Sequence, residues 1–150
     1  DEQYTHITLW SILGSPLLIG CDMAELDDFT LNLLCNSEVI DVNQDELGWQ
    51  ASRIYGDDSY ATYLKPLADG TVAVAMFNLS SEPKKIGFIP RSLGVIGSQV
   101  IRDLWRQKDI CTCGYHERWE TEVAPHGCVF VKLTPVQKNF VPEGFDKNIK

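Results

Sequence analysis

Residues 6–22 read His6-Ile7-Thr8-Leu9-Trp10-Ser11-Ile12-Leu13-Gly14-Ser15-Pro16-Leu17-Leu18-Ile19-Gly20-Cys21-Asp22, and this stretch predicts a helix followed by a buried strand. Before Gly14, the apolar residues recur at helical spacing. Gly14-Ser15-Pro16 ends the helix, because glycine suits a C-terminal cap and proline cannot continue a helix. Residues 17–21 are then apolar without alternation, which is typical of a strand in a parallel sheet that is covered on both faces.

A second helix is predicted from the N-cap residue Asp27 to about Asn36. The order helix, buried strand, helix is typical of an α/β barrel or a doubly wound sheet. One strand between two helices does not close a parallel sheet, and a two-sided apolar strand without neighbours is an aggregation hazard. Such a strand either docks on the rest of the chain or pairs with strands upstream of residue 1, and we expect the second arrangement.

From about residue 53 onward, short strands replace the helices. Val72, Val74 and Met76 alternate with smaller residues, and Asp69-Gly70 before them is a strong hairpin signal. Comparable strands are predicted at residues 60–64, 85–89, 99–105, 116–123 and 128–133, and an apolar strand is predicted at residues 39–42. Many short strands without intervening helices indicate an antiparallel sandwich.

Composition and charge exclude several classes of function. The 150 residues are 44% hydrophobic and 23% charged, which is typical of a globular protein. A formal net charge of −8 argues against a nucleic-acid partner, because nothing neutralises a row of phosphates. No apolar run reaches the roughly 20 residues that span a bilayer. The five cysteines form no recognisable disulfide framework, and Cys111-Thr112-Cys113 is too isolated a pair for a zinc site, so we expect neither a metal nor a cofactor.

Four segments together resemble glycoside hydrolase family 27, the family of the α-galactosidases and α-N-acetylgalactosaminidases. Residues 6–22 resemble the last helix-to-strand passage of its barrel, and residues 36–48 are similar to its Asn-x-Glu-Val-Ile-x-Ile-Asn-Gln-Asp-Pro-Leu-Gly segment, with Glu46 in place of the proline. Residues 100–105 and 125–130 resemble signatures of its C-terminal β-domain. The matches fall in order over most of residues 4–134, which chance explains poorly.

The resemblance implies the last β/α element of a (β/α)8 barrel at residues 1–38, an antiparallel β-sandwich at residues 39–135 and a tail at residues 136–150. It implies a retaining glycosidase that acts on terminal α-galactosyl-type sugars. The nucleophile and the acid/base are then aspartates on barrel strands upstream of residue 1, so no catalytic residue is expected in this chain. By the same resemblance the carbohydrate substrate is bound by the upstream part of the barrel, and a secreted, periplasmic or lysosomal-type compartment and a homo-oligomer are compatible with it.

An alternative is a stand-alone β-sandwich that binds carbohydrate, with the first 36 residues as an appendage. The buried-strand pattern of residues 17–21 favours the barrel, because a binding module has no use for such a strand. Trp49, Trp105 and Trp119 remain candidates for stacking on sugars, although most tryptophans are largely buried.

Asp22 is the candidate for a residue at the substrate rim. It ends the predicted strand, and barrels of this type place their active sites at the C-terminal ends of their strands. The competing interpretation is that Asp22 caps the helix that follows it or orients a neighbouring loop.

The other polar residues have structural explanations from their sequence context. Asp27-Asp28 and Asp57-Asp58 lie in cap or turn contexts, and adjacent carboxylates seldom converge on one bond. The three histidines, His6, His116 and His126, show no metal-binding spacing. Asn43-Gln44-Asp45 is interpreted as a cap at the junction of the two domains, formed through hydrogen bonds to backbone groups. Asn78-Leu79-Ser80 fits the N-glycosylation pattern.

Overall fold

The computed structural model describes residues 2–136, in which a short helical region precedes two antiparallel sheets. The helices are α1 (Glu2–Ile12), α2 (Asp28–Leu34) and α3 (Ser37–Asn43). The strands are β1 (Ser52–Gly56), β2 (Tyr60–Pro66), β3 (Val72–Asn78), β4 (Lys84–Phe88), β5 (Gln99–Asp103), β6 (Lys108–Cys113), β7 (Trp119–Val123) and β8 (Cys128–Pro135). No helix among these residues is long and apolar enough to cross a membrane.

Six of the strands form one sheet in the order β1-β2-β3-β8-β5-β6, and β4 pairs with β7 in a second sheet. Every pairing between these strands is antiparallel. The predicted helical start and antiparallel sandwich are therefore confirmed. The turn at Asp69-Gly70 joins β2 to β3 as the sequence predicts, with Gly70 at a φ of +80°.

The large sheet is covered on both faces, and each face has its own apolar core. On one face α1 and α3 pack against the sheet around Ile12, Val39, Phe77, Leu104 and Phe130. On the other face the β4–β7 sheet closes a second core. The predicted alternation of β3 is consequently not an alternation of burial, because residues 73–78 are all buried. Ala73, Ala75 and Phe77 face the helices, whereas Val74 and Met76 face the second sheet.

Three predictions of local structure are wrong. Residues 17–21 form no strand, because no neighbouring strand among the described residues offers hydrogen bonds to them. Residues 39–42 lie in α3 rather than in a strand, because Asn36 caps this helix by accepting a hydrogen bond from the Val39 N–H at 3.2 Å. His116 lies in the turn before β7, not in the strand itself.

The remaining strand predictions are confirmed to within a few residues, and β1 and β6 are additional. Both additional strands lie at the edges of the large sheet, where β1 is mostly exposed and only the last residue of β6, Cys113, is buried. β6 contains the Cys111-Thr112-Cys113 segment. The predicted tail lies outside the described residues, except for Val136.

Candidate functional site

Five large apolar side chains between residues 18 and 31 lie exposed on the helical side of the molecule, and we call them the bare face. They are Leu18, Ile19, Met23, Phe29 and Leu31, and Leu18 is 79% exposed. A soluble monomer seldom concentrates so much apolar side chain on its surface without a partner. The bare face is therefore a candidate contact surface.

Behind the bare face lies an apolar cavity of about 380 Å³. It is enclosed by α1, residues 17–21, α2 and α3, and its lining includes Trp10, Leu33 and Val39. Ser11 also lines it, and the Ser11 Oγ is buried without a hydrogen-bond partner. The segment at residues 17–21 thus lies beside a loosely filled interior rather than on a finished core.

Polar contacts fix the start of this segment to the rest of the molecule. Gly14 ends α1 with a φ of +64°, a backbone conformation that favours glycine. The Asn43 amide donates hydrogen bonds to the carbonyls of Trp10 and Ser15, at 3.3 and 2.8 Å. Asn43 thus bridges the last turn of α1 and the first residues after it, as the prediction of a polar cap at the junction requires.

Two more contacts attach α3 to the sheet. The Lys65 ammonium, on β2, donates to the Val42 carbonyl at 2.5 Å, and Lys65 is fully buried. The Arg102 guanidinium, on β5, donates two hydrogen bonds to Glu38 at 2.9 and 2.7 Å and one to Asp109 at 2.9 Å. Because α3 also holds Asn43, the sandwich fixes the start of the segment at Ser15.

Asp22 follows the segment and is exposed. Its carboxylate accepts a hydrogen bond from the Ala24 N–H at 2.9 Å and so caps a short 3-10 helix at Met23–Glu25. This is the capping role that the sequence offered as the competing interpretation. The cap leaves the second carboxylate oxygen of Asp22 available to another donor.

Comparison with known proteins identifies this arrangement. The family model described as the α-galactosidase C-terminal β-sandwich domain matches residues 57–133, and the one described as α-galactosidase A matches residues 1–45. The chain belongs to glycoside hydrolase family 27. It corresponds to the C-terminal part of that family, the end of the barrel followed by the β-sandwich.

Individual relatives agree with this assignment. An α-galactosidase of rice (Oryza sativa subsp. japonica) is 36% identical over 136 residues, which cover 89% of this chain and 32% of the rice protein. A family 27 β-L-arabinopyranosidase from Geobacillus stearothermophilus superimposes with a TM-score of 0.85 at 33% identity, over 92% of this chain and 31% of its own. For α-galactosidase I from Mortierella vinacea the TM-score is 0.82 at 27% identity, over 90% and 36%.

This family 27 chain spans about a third of the length of the curated relatives it matches. The solved relatives act, by their names, on different sugars, an α-galactoside in one case and a β-L-arabinopyranoside in another. Membership of the family therefore does not by itself specify the sugar.

The adjacent acidic pairs have the cap and turn contacts that their sequence context predicts. Asp27 caps α2 by accepting from the Thr30 N–H at 2.7 Å, and the hydrogen bonds to Thr30 lower the pKa of its carboxyl. Asp57 accepts from both the N–H and the hydroxyl of Ser59, at 2.6 Å each, which lowers its pKa as well. These contacts stabilise the charged form of both carboxylates, which is the opposite of what a general acid needs.

The histidines and cysteines form no centre among the described residues. His6 packs edge-on against Trp10 within α1, and His126 lies in the β7–β8 turn. No group of three or more histidine, cysteine or acidic side chains in residues 2–136 is placed to hold a metal ion. Cys128, on β8, is half-buried against α1, and burial raises the pKa of its thiol, so it is poorly suited to act as a nucleophile.

Asn78, the first residue of the N-glycosylation pattern at residues 78–80, has a structural role. Its side chain is buried, and its amide donates to the carbonyls of Glu82, Val123 and Ala124 at 2.8–3.1 Å. A side chain held in this way is not presented to a glycosylating enzyme. Asn78 instead ties the end of β3 to the end of β7.

Sequence reasoning missed Lys65 and Arg102, which hold α3 on the sheet. Nothing in the pattern around Lys65 marks it as buried, since lysine is almost never found fully buried. Arg102 lies within a segment quoted for the family resemblance, but its two carboxylate partners are far from each other in sequence.

Proposed function

We propose that this chain is the C-terminal part of a retaining glycoside hydrolase that removes terminal α-galactosyl-type residues from oligosaccharides or glycoconjugates. Membership of family 27 and the α-galactosidase names of many relatives support this substrate class. In a retaining mechanism, two carboxyl groups about 5 Å apart flank the glycosidic bond, one as nucleophile and one as acid/base. The family resemblance assigns both to aspartates on barrel strands upstream of residue 1.

The observation that carries this proposal is the bare face, which includes Leu18 and Ile19 of the apolar segment at residues 17–21. An apolar segment held at its start by Asn43, but without a strand partner, is what the last strand of a barrel becomes when the other strands are absent. In this account the segment pairs with upstream barrel strands. The bare face and the cavity behind it are then covered by barrel side chains.

We propose a division of roles between the two parts of the chain, which these contacts support. Residues 1–38 close the barrel, and residues 39–135 form the accessory sandwich. The boundary between them falls inside α3, which belongs structurally to both parts. The sandwich thereby holds the barrel's closing strand in place through Lys65, Asn43 and Arg102.

A direct test compares two polypeptides, the one that carries this sequence in its source and residues 1–150 alone. We expect the first to hydrolyse an aryl α-D-galactoside with retention of the anomeric configuration, measured by proton NMR of the first-formed sugar. Residues 1–150 alone should show no turnover and should bind a hydrophobic dye through the bare face. Turnover by residues 1–150 alone, or inversion by the longer polypeptide, would contradict the proposal.

We further propose that Asp22 lies at the rim of the substrate site, because it directly follows the closing strand. Replacing Asp22 by serine keeps an N-cap side chain but removes the carboxylate. The loss of a hydrogen bond from the sugar to a charged group should lower kcat/KM about tenfold or more while the melting temperature stays unchanged.

The matched control for this experiment is Asp27→Ser, which removes an equivalent capping carboxylate at the start of α2. We expect this variant to keep the kcat/KM of the unmodified enzyme. If Asp22→Ser behaves in the same way, Asp22 is a cap and not a substrate-rim residue.

A further inference from the structure

A second cleft lies at one end of the sandwich and has a volume of about 360 Å³. It borders the bare face, because Tyr4 in its lining packs edge-on against Phe29 with 5.7 Å between ring centroids. Ligand-binding clefts start at about this size. Three aromatic side chains from three different elements line it: Tyr4 from α1, Trp105 from the turn after β5, and Trp119 from β7. All three residues are half-buried.

The aromatic rings are held in place from behind. The Trp105 indole N–H donates to the Thr8 hydroxyl at 2.9 Å, and Tyr4 packs edge-on against Trp105 with 4.7 Å between ring centroids. Trp119 packs against the buried ring of Phe88, 5.2 Å between centroids. A ligand that stacks on these rings therefore meets a preformed surface and pays little ordering entropy.

Charged groups of both signs lie beside the aromatic rings. The Asp103 carboxylate is 11% exposed and forms an ion pair with the Arg106 guanidinium at 2.6 Å, while the Arg106 side chain is 80% exposed. The Asp103 carboxylate also accepts from the Arg106 backbone N–H at 3.0 Å. Glu122 completes the polar lining. Carboxylates and a guanidinium supply acceptors and donors side by side, which suits vicinal hydroxyl groups.

This combination selects the chemical class of the ligand. An anion would meet the carboxylates of Asp103 and Glu122, and a cation would meet the Arg106 guanidinium. A purely apolar ligand would displace water from Glu122 and from the exposed part of Arg106 without offering a hydrogen bond in return. A neutral pyranose has C–H faces that stack on aromatic rings and a rim of hydroxyl groups. It matches both halves of the lining.

We infer that this cleft binds a pyranose unit of an oligosaccharide or polysaccharide, as a non-catalytic site on the β-sandwich. The inference rests on the proposed function, since it supposes that the enzyme meets carbohydrate. The role of the cleft is to retain a long substrate while the barrel acts on a terminal sugar elsewhere on the same substrate molecule.

The test uses the polypeptide that carries this chain in its source, with galactomannan as the probe. In native gels that contain galactomannan, we expect the unmodified protein to be retarded. Trp119→Ala and Arg106→Ala should each raise the dissociation constant obtained from the retardation about tenfold. Both variants should hydrolyse a small aryl α-D-galactoside at the unmodified rate, because that substrate does not reach the cleft.

Two controls keep the result interpretable. Trp49→Ala removes a tryptophan that is 57% exposed and lies outside the cleft lining, and it should leave retardation unchanged. Arg106→Ala provides a second cleft variant in case Trp119→Ala does not fold. It should fold normally, because the Arg106 side chain is on the surface and the Asp103 carboxylate keeps its hydrogen bond from the backbone N–H of residue 106.

The inference is overturned if the unmodified protein is not retarded, or if both cleft variants are retarded as strongly as the unmodified protein. Absence of hydrolysis of the small galactoside by the unmodified protein would instead overturn the proposed function. Since retardation and hydrolysis are measured separately, the two failures are distinguishable.

Discussion

Replacement of Phe130 by alanine is expected to lower the free energy of unfolding of the β-sandwich by about 4 kcal/mol. Phe130 lies on β8 in the middle of the large sheet, is 1% exposed, and faces the helices in the first apolar core. Neither a backbone shift of β8 nor a movement of α1 fills the resulting cavity easily, since β8 is hydrogen-bonded to β3 and β5 and α1 packs against α2, α3 and the sheet. The measured loss of stability should therefore include both the transfer free energy of the deleted ring and the cost of the cavity that it leaves.

The quantity to measure is the opening free energy of the slowest-exchanging amides of β3 and β8, by hydrogen exchange in the longer polypeptide. Ile96→Ala is the control, because Ile96 is 86% exposed and its loss should change that free energy by less than about 0.5 kcal/mol. A change below about 1.5 kcal/mol for Phe130→Ala would mean that the core between helices and sheet is not closely packed, in contrast to ordinary cores.

The second large effect is expected at Lys65, the buried lysine between β2 and α3. Lys65→Ala should lower the same opening free energy by about 3 kcal/mol at pH 7, because it removes a packed aliphatic stem and leaves the Val42 carbonyl without its donor. Lys65→Met, which keeps most of the stem, should lose only about 1 kcal/mol, the value of a typical hydrogen bond.

The deficit of Lys65→Ala should also depend on pH. Burial lowers the pKa of Lys65 below its usual 10.5, so the folded protein releases this proton at a lower pH than the unfolded chain does. Between the folded pKa and 10.5 the unfolded state binds more protons, and the stability of the unmodified protein therefore rises with pH. The alanine variant lacks this gain, so its deficit should grow as the pH rises from neutral toward 10.

The opposite trend, a deficit that shrinks with rising pH, would mean that Lys65 is stabilised in its charged form. In that case its attraction to Asp45, which raises its pKa, would outweigh its burial. A deficit that stays constant up to pH 10 would place the folded pKa at its ordinary value.

Local signals in the sequence predicted much of this fold. Gly14 and Pro16 mark the end of α1, Asp27 caps α2 as expected, and Asp69-Gly70 makes the predicted hairpin. Each of these depends on backbone geometry or on a cap within a few residues. Such features are decided locally and can be inferred without knowing the tertiary contacts.

The wrong predictions concern segments whose secondary structure depends on tertiary contacts. Residues 39–42 have the composition of a strand, yet Asn36 caps them as a helix while its amide also donates to the carbonyls of Leu104 and Trp105. Edge strands β1 and β6 carry no apolar alternation because only one of their sides is paired and most of their residues face solvent. Residues 17–21 read as a strand and have no regular structure here, because a parallel strand exists only with its neighbours.

The candidate sites differ in the same way. Asp22 could be named from sequence because it ends the apolar segment. The aromatic cleft could not, since Tyr4, Trp105 and Trp119 come together only through the packing of α1 on the sandwich. Among the tryptophans singled out as candidates, Trp105 and Trp119 meet in one cleft, while Trp49 is exposed apart from them.

The central claim is that residues 17–21 are the closing strand of a barrel whose other strands lie upstream. Hydrogen exchange at the amides of Leu18, Ile19 and Gly20 tests it most directly, in the longer polypeptide and in residues 1–150 alone. Strong protection in the longer polypeptide and fast exchange in residues 1–150 is the result that this account predicts. Fast exchange in both would contradict it, and so would protection of these amides in residues 1–150 by themselves.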